Sequence, residues 1–207
     1  MKVLGIVGSK RKNGNTAHLV NKAMESVVGK EITTETIYLG DYDIKGCTGC
    51  EGCKKTYTCV IKDDMMNLYP KILETDAVII GSPTYFYNIS SDMKSFIDRL
   101  YAHQIFDDND RSVWTSINEV LGGKYAVVIA ICEQNNSKDM GFTAEAMSMP
   151  LEALGYRVVE TVKVLHAFKK DDTKNNERIE DDAIKAGIKL KKTLLLKEKT
   201  KKNLRKV

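Results

Sequence analysis

Several familiar signatures are missing from this chain of 207 residues. No apolar run approaches the roughly 18 to 20 residues of a membrane-spanning helix. The N-terminus lacks the basic, apolar, small-residue order of a signal peptide, so the expected location is cytoplasmic, with no membrane partner. No internal repeat is visible. The first strand-to-helix junction does not carry Gly-x-Gly-x-x-Gly, which excludes a dinucleotide fingerprint. It also reads Gly14-Asn15-Thr16 where a nucleoside-triphosphate loop needs a lysine after the glycine. Only three histidines occur, at His18, His103 and His166, and none lies near the cysteines in sequence. At this length one large α/β domain spanning 1–207 is expected.

The formal charge of +4 conceals an uneven distribution. Ten of the 32 basic residues fall between Lys185 and Val207 against the single Glu198, leaving 22 basic and 27 acidic residues in the body. The basic segment 185–207 reads as a solvated helix end whose cations suit the negative end of the helix dipole. No nucleic-acid partner is expected.

What is present is a regular alternation. Val3, Leu4, Ile6 and Val7 form a short apolar strand, and Ala17, Leu19, Val20, Ala23, Met24, Val27 and Val28 recur at helical spacing up to Gly29. Residues 32–39 read as strand two, 63–74 as a helix that Pro70 should bend or whose true start it should mark, and Ala77 to Gly81 as a buried strand. Ser90 or Ser91 caps a third helix with an inward stripe of Met93, Phe96, Ile97, Leu100 and Tyr101. Residues 103–123 form a polar excursion with the only tryptophan, Trp114. A strand over 125–132, a helix over 143–154, a strand over 157–164 and a helix from about 177 complete the pattern. Five strands alternating with five helices imply a doubly wound parallel sheet with helices on both faces. Ligands of such sheets sit at the carboxyl ends of the strands, so the loops after strands one, three and four should converge.

The first of these loops, SKRKNGNT, suits a terminal phosphate, with hydroxyls from Ser9 and Thr16, the amide of Asn15, the charge of Arg11 and backbone N–H groups. The second, Ser82-Pro83-Thr84-Tyr85-Phe86-Tyr87-Asn88, places three consecutive aromatics at the end of a buried strand, an arrangement suited to a flat heteroaromatic ligand. Together they describe a mononucleotide with a large planar base, and flavin mononucleotide (FMN) fits. The third of the converging loops is CEQNNSKDMGF.

Cys47-x2-Cys50-x2-Cys53-x5-Cys59 is a compact set of soft ligands, and Gly46, Gly49 and Gly52 permit the tight backbone it needs. In a chain without an export signal, such a cluster suggests metal or redox chemistry before a disulfide scaffold. A [4Fe-4S] cluster, a zinc ion and free or oxidisable thiols all remain open. The fifth cysteine, Cys132, reads as a buried strand residue.

GSKRKNGNT followed by DDMMNLYPKILETDAVIIGSPTYFYNISSDMKSFIDRL resembles the flavodoxin-like NAD(P)H-dependent FMN reductase family, and the cysteine segment 46–60 resembles its iron-sulfur flavoprotein branch. The resemblance covers most of residues 1–165. It implies a flavodoxin-like doubly wound five-stranded parallel sheet with the FMN phosphate at Ser9, Arg11, Asn13, Gly14, Asn15 and Thr16. The isoalloxazine would lie along Pro83, Thr84, Tyr85, Phe86, Tyr87 and Asn88, and its edge would meet the third loop at Glu133 and Gln134, although CEQNN lacks the glycine-rich form of the family. It further implies a [4Fe-4S] cluster on Cys47, Cys50, Cys53 and Cys59, NAD(P)H or a ferredoxin-like protein as donor, and a small-molecule or protein acceptor. A homodimer or homotetramer is implied as well. The expected function is an FMN-dependent oxidoreductase, the alternative an electron-transfer relay or redox sensor with little small-substrate turnover. No side-chain acid or base is expected, since the chemistry is centred on the flavin.

Overall fold

The computed structural model describes residues 1–205. Lys206 and Val207, the last two positions of the basic segment, lie outside the described residues. Five parallel strands form the main sheet: β1 (Lys2–Val7), β2 (Thr33–Tyr38), β3 (Ala77–Pro83), β6 (Lys124–Ile131) and β7 (Tyr156–Val164). Their order is β2-β1-β3-β6-β7, the flavodoxin-like arrangement. Strands β1, β3 and β6 are buried almost throughout, as expected of strands covered on both faces. β2 is an edge strand with only Ile37 buried, which explains its weaker alternation in sequence.

The two faces carry separate cores. On one, α1 (Asn15–Val27) and α6 (Glu177–Leu204) pack through Leu19, Val20, Ala23, Ala183, Ala186 and Leu190. On the other, α2 (Met65–Glu74), α3 (Ser91–Arg99) and α5 (Glu145–Ala153) pack through Leu68, Ile72, Met93, Phe96, Met147 and Leu151. The predicted stripe of α3 is buried at Met93, Phe96, Ile97 and Leu100, but Tyr101 is half-exposed and joins the neighbouring loop instead. Ser90 is the cap of α3, its side chain accepting from Met93 N at 3.3 Å.

Two expectations are refined. Pro70 lies inside α2, which begins at Met65, so it costs an interior hydrogen bond rather than marking the start. At the far end of α2, Lys124 Nζ donates to Ile72 O at 2.7 Å and Leu73 O at 2.8 Å, placing a cation on the negative end of the dipole. Burial draws the Lys124 ammonium down to about 8. The excursion is also ordered: β4 (Gln104–Phe106) and β5 (Trp114–Ser116) pair antiparallel, and α4 (Ile117–Val120) follows with a Ser116–Glu119 capping box.

A buried ion pair anchors the cysteine loop to the second core. Arg99, at the end of α3, meets Asp63 at 2.6 Å with both side chains almost fully buried. The same guanidinium donates to Lys45 O at 2.9 Å and to Ile61 O at 3.4 Å, the two ends of the loop. Asp63 in turn accepts from the N–H groups of Lys45 at 3.0 Å and Met65 at 3.1 Å. Burial opposes the Asp63 charge, but hydrogen bonds from Arg99 and Lys45 outweigh it and hold the carboxyl below its usual range.

Removing Asp63 leaves a buried unpaired guanidinium, so Asp63→Ala should destabilise the fold by about 3–5 kcal/mol in urea unfolding. Because the folded value is depressed, the pair's contribution is present at neutral pH and lost as pH falls through that value. A pH-stability curve of Asp63→Ala should therefore lie nearest to wild type in acid. Parallel curves at every pH would contradict this assignment.

Candidate functional site

The carboxyl ends of β1 and β3 open onto one cavity of about 330 Å³. Its lining includes Ser9, Arg11, Gly14, Asn15 and Thr16 from the first loop. Pro83, Thr84, Tyr85 and Phe86 come from the second. Gly14 is the N-cap of α1 and offers no capping side chain, and no acidic residue occupies the first turn. The first N–H groups of the helix therefore lack an intrahelical or capping partner, which suits an anion. Ser9 Oγ accepts from Arg11 N at 3.2 Å, shaping the loop. Asn13 is exposed and does not line the cavity. One assignment is corrected: the Asn15 amide is not free for a phosphate, because its Nδ2 donates to Ala167 O at 3.2 Å and Lys169 O at 2.8 Å. Only the backbone N–H of Asn15 is left for that purpose.

The aromatic loop is a tight turn. Tyr85 N donates to Asn88 O at 2.7 Å and Asn88 N to Tyr85 O at 3.1 Å, with Phe86 and Tyr87 between them at φ 47° and 67°. Positive φ at both central positions defines a type I′ turn, normally built with Asn and Gly. Placing two aromatic residues there costs of order 1 kcal/mol each. The rings project outward as a result: Phe86 is 96% exposed, and Tyr85 and Tyr87 are half-exposed. Asn88 stays at the base of the turn, its Oδ1 accepting from Ile89 N at 2.8 Å. The third loop braces the turn, with Phe142 N donating to Tyr87 O at 2.8 Å and Thr143 Oγ1 to Thr84 Oγ1 at 2.9 Å. A Cβ on Gly141 would fall 2.2 Å from Tyr87 O, so this contact requires glycine.

A second cavity of about 370 Å³ adjoins the first, sharing Thr84, Phe86 and Glu133 and adding Tyr87, Gln134 and Asp139. Glu133 and Gln134 are thus brought to the site. A fourth contribution has no periodicity to reveal it: Ala167, Phe168 and Lys170, from the segment after β7, also line the first cavity. The available signal was topological, since that segment leaves the sheet at the same end.

Cys47, Cys50, Cys53 and Cys59 line a separate hollow of about 370 Å³ whose far wall includes Ile97 and Tyr101. All four are free thiols. Of the three glycines, only Gly49 is left-handed, at φ 67°, and Glu51 takes the same conformation at 56°. The excursion reaches across: Arg111 Nη1 donates to Glu51 at 2.7 Å, its other terminal nitrogen to the Tyr101 hydroxyl, and its guanidinium covers the Phe106 ring at 4.6 Å. Hydrogen bonds from the Gly52 backbone and the Thr48 hydroxyl hold the Cys50 thiol below its usual value, whereas burial pushes Cys53 up. Among the described residues, no three or more Cys, His, Asp or Glu side chains meet as ligands of one metal ion.

Residues 1–165 match the family described as NADPH-dependent FMN reductase. The chain belongs to that family. An iron-sulfur flavoprotein of Methanocaldococcus jannaschii is 42% identical over 99 residues, covering 48% of this chain and 51% of that protein. An iron-sulfur flavoprotein of Archaeoglobus fulgidus is 39% identical over 106 residues, covering 50% and 48%. The matches thus span about half the length of these relatives. Among solved structures, RosB with bound 8-demethyl-8-formylriboflavin-5'-phosphate superposes with a TM-score of 0.71 at 17% identity, over 96% of this chain and 81% of that one. This likeness concerns the fold.

The residues lining the first cavity of this FMN reductase family member fit the flavin that the family binds. An uncapped helix terminus, two hydroxyls and Arg11 suit a phosphate, and the outward rings suit a flavin face. Four thiols line one hollow, and among the described residues they do not gather into a ligand set for one ion. In the metal-free, reduced protein, a brief pulse of alkylating reagent should label Cys50 and Cys47 first and Cys53 more slowly. Cys59 and Cys132, at 9% and 1% exposure, should react only on unfolding. Peptide mass spectrometry reads the order; rapid labelling of Cys59 would contradict the buried placement.

Proposed function

We propose that this chain is an FMN-dependent oxidoreductase, taking electrons from NAD(P)H or a reduced carrier protein and passing them to a quinone, a flavin or a redox protein. The observation that carries this is the joining of an uncapped helix N-terminus and an outward aromatic turn in one cavity. Bound FMN supplies the electron-storing chemistry. The chain's own part is binding and orientation. The N–H groups of the first turn of α1, with Ser9, Thr16 and Arg11, hold the phosphate, and Thr84, Tyr85 and Phe86 lie along the ring system. Tyr87, Glu133 and Gln134 border the adjoining cavity, where a donor or acceptor would approach. No side-chain acid or base is assigned.

The four cysteines are proposed to hold a [4Fe-4S] cluster, and their clustering between residues 47 and 59 suits metal or redox chemistry in a reducing, cytoplasmic setting. No helix of the described residues is long and apolar enough to cross a membrane. The exposure of Phe86 and of Phe142, 96% and 71%, supports a homodimer or homotetramer that covers the turn. A second reading, an electron relay or redox sensor, is favoured by the separate thiol-lined hollow, because a relay needs no substrate cavity beside its second centre.

Anaerobic purification followed by an absorption spectrum and analysis of flavin, iron, sulfide and zinc tests the cofactors. The expected protein is yellow to brown, with one FMN and about four irons and four sulfides per chain. Colourless protein that takes up no FMN would overturn the proposal. Steady-state NADH or NADPH oxidation with a quinone then separates the two readings: sustained turnover supports the reductase. Negligible turnover together with rapid reduction by ferredoxin supports the relay.

A further inference from the structure

The segment that leaves β7 is tied down more firmly than a connection to α6 requires. His166, at φ 56°, turns the chain, and its N–H donates to Gln134 O at 3.0 Å, while Ala167 N donates to Cys132 O at 3.2 Å. The segment then crosses the mouth of the phosphate loop. There the Asn15 side chain uses both ends of its amide: Nδ2 donates to Ala167 O and Lys169 O, and Oδ1 accepts from Thr173 N at 3.3 Å and Thr173 Oγ1 at 3.0 Å. Asn15 is 8% exposed and Thr173 is fully buried, so these bonds are shielded from water. Asn15 is also the first residue of α1, the helix whose N-terminus faces the cavity. One side chain therefore fixes the segment against the element that would receive the phosphate.

This clamp has a chemical consequence. Between its attachments at Lys169 and Thr173 the segment presents Lys170, which lines the cavity together with Arg11. Two cations thus face one carboxylate, Glu133, in that lining. Lys170 itself is exposed, and its backbone is held close to the anchors on either side. Fixing the backbone lowers the entropy a flexible lysine loses when it binds an anion. The family match ends at residue 165, before this segment begins.

We propose that residues 166–173 form a strap that delivers Lys170 to the phosphate of the bound flavin, with Asn15 as the positioning residue. The inference rests on the FMN reading above. It makes the strap a further part of the site that distinguishes a phosphorylated flavin from riboflavin, beside the first turn of α1, Ser9, Thr16 and Arg11, through a charge-assisted contact that riboflavin lacks.

The test is a titration of flavin-free full-length protein with FMN and with riboflavin, followed by quenching of flavin fluorescence. Lys170→Ala should weaken FMN binding about 5- to 20-fold and leave riboflavin unchanged. Lys170→Arg should retain most of the FMN affinity. Asn15→Ala should lower the preference for FMN over riboflavin, and adding Lys170→Ala to it should cost little more, because both changes act through one contact. Raising the salt concentration should weaken FMN binding to wild type more than to Lys170→Ala. Equal FMN affinities of wild type and Lys170→Ala would overturn the strap, as would equal losses for FMN and riboflavin. The exposed position of Lys170 keeps this comparison free of folding effects. Wild-type protein that binds neither flavin would instead overturn the FMN reading itself, so the two failures are distinct.

Discussion

The arrangement of this molecule depends on the split between β1 and β3. The two strands are hydrogen-bonded neighbours, yet the helix after β1 crosses to one face of the sheet and the helix after β3 to the other. Their loops cannot fill the space between them, and a crevice at the carboxyl ends follows from connectivity alone. The remaining features furnish that crevice. Ser90 ties its floor, its hydroxyl bonded to Gly8 O while its N–H donates to Ser82 Oγ. The start of α3 is thereby fixed to the ends of both strands, and the aromatic turn between β3 and α3 is held at the edge of the opening.

The features visible in sequence were those with a local cause. The strand order follows from apolar runs and handed crossovers, and the cap at Ser90 from a hydroxyl before a helical stripe. The loops SKRKNGNT and SPTYFYN are legible because composition and position coincide in each. Asn15 was harder: a polar residue at a helix start suggests a ligand amide, while its true partners lie more than 150 residues further along the chain. Arg111 was hidden for the same reason, since its link to Glu51 joins the excursion to the cysteine loop. Long-range polar contacts have no period, so nothing in the neighbouring sequence announces them.

The cysteine loop shows how little regular structure is needed to present four thiols. Between Lys45 and Ile61 the backbone forms turns and bends without a helix or strand. Its order derives from its ends, which share the Arg99 guanidinium, and from Arg111 at its middle. The buried contact carries most of the weight, because an exposed pair such as Arg111–Glu51 is screened by solvent and contributes little. Such a loop can keep its thiols near one another while leaving Cys47 and Cys50 accessible to an incoming metal.

The four hydrogen bonds of Asn15 also bear on where this protein can be dissected. The recognisable family region stops at residue 165, and a fragment cut there would keep every strand of the sheet. It would nevertheless strip Thr173 and the carbonyls of Ala167 and Lys169 from a buried amide, exposing the face of α1 that α6 covers. The packed unit is thus larger than the family-matched region it contains, and its C-terminal fifth is structural partner to its first helix rather than an appendage.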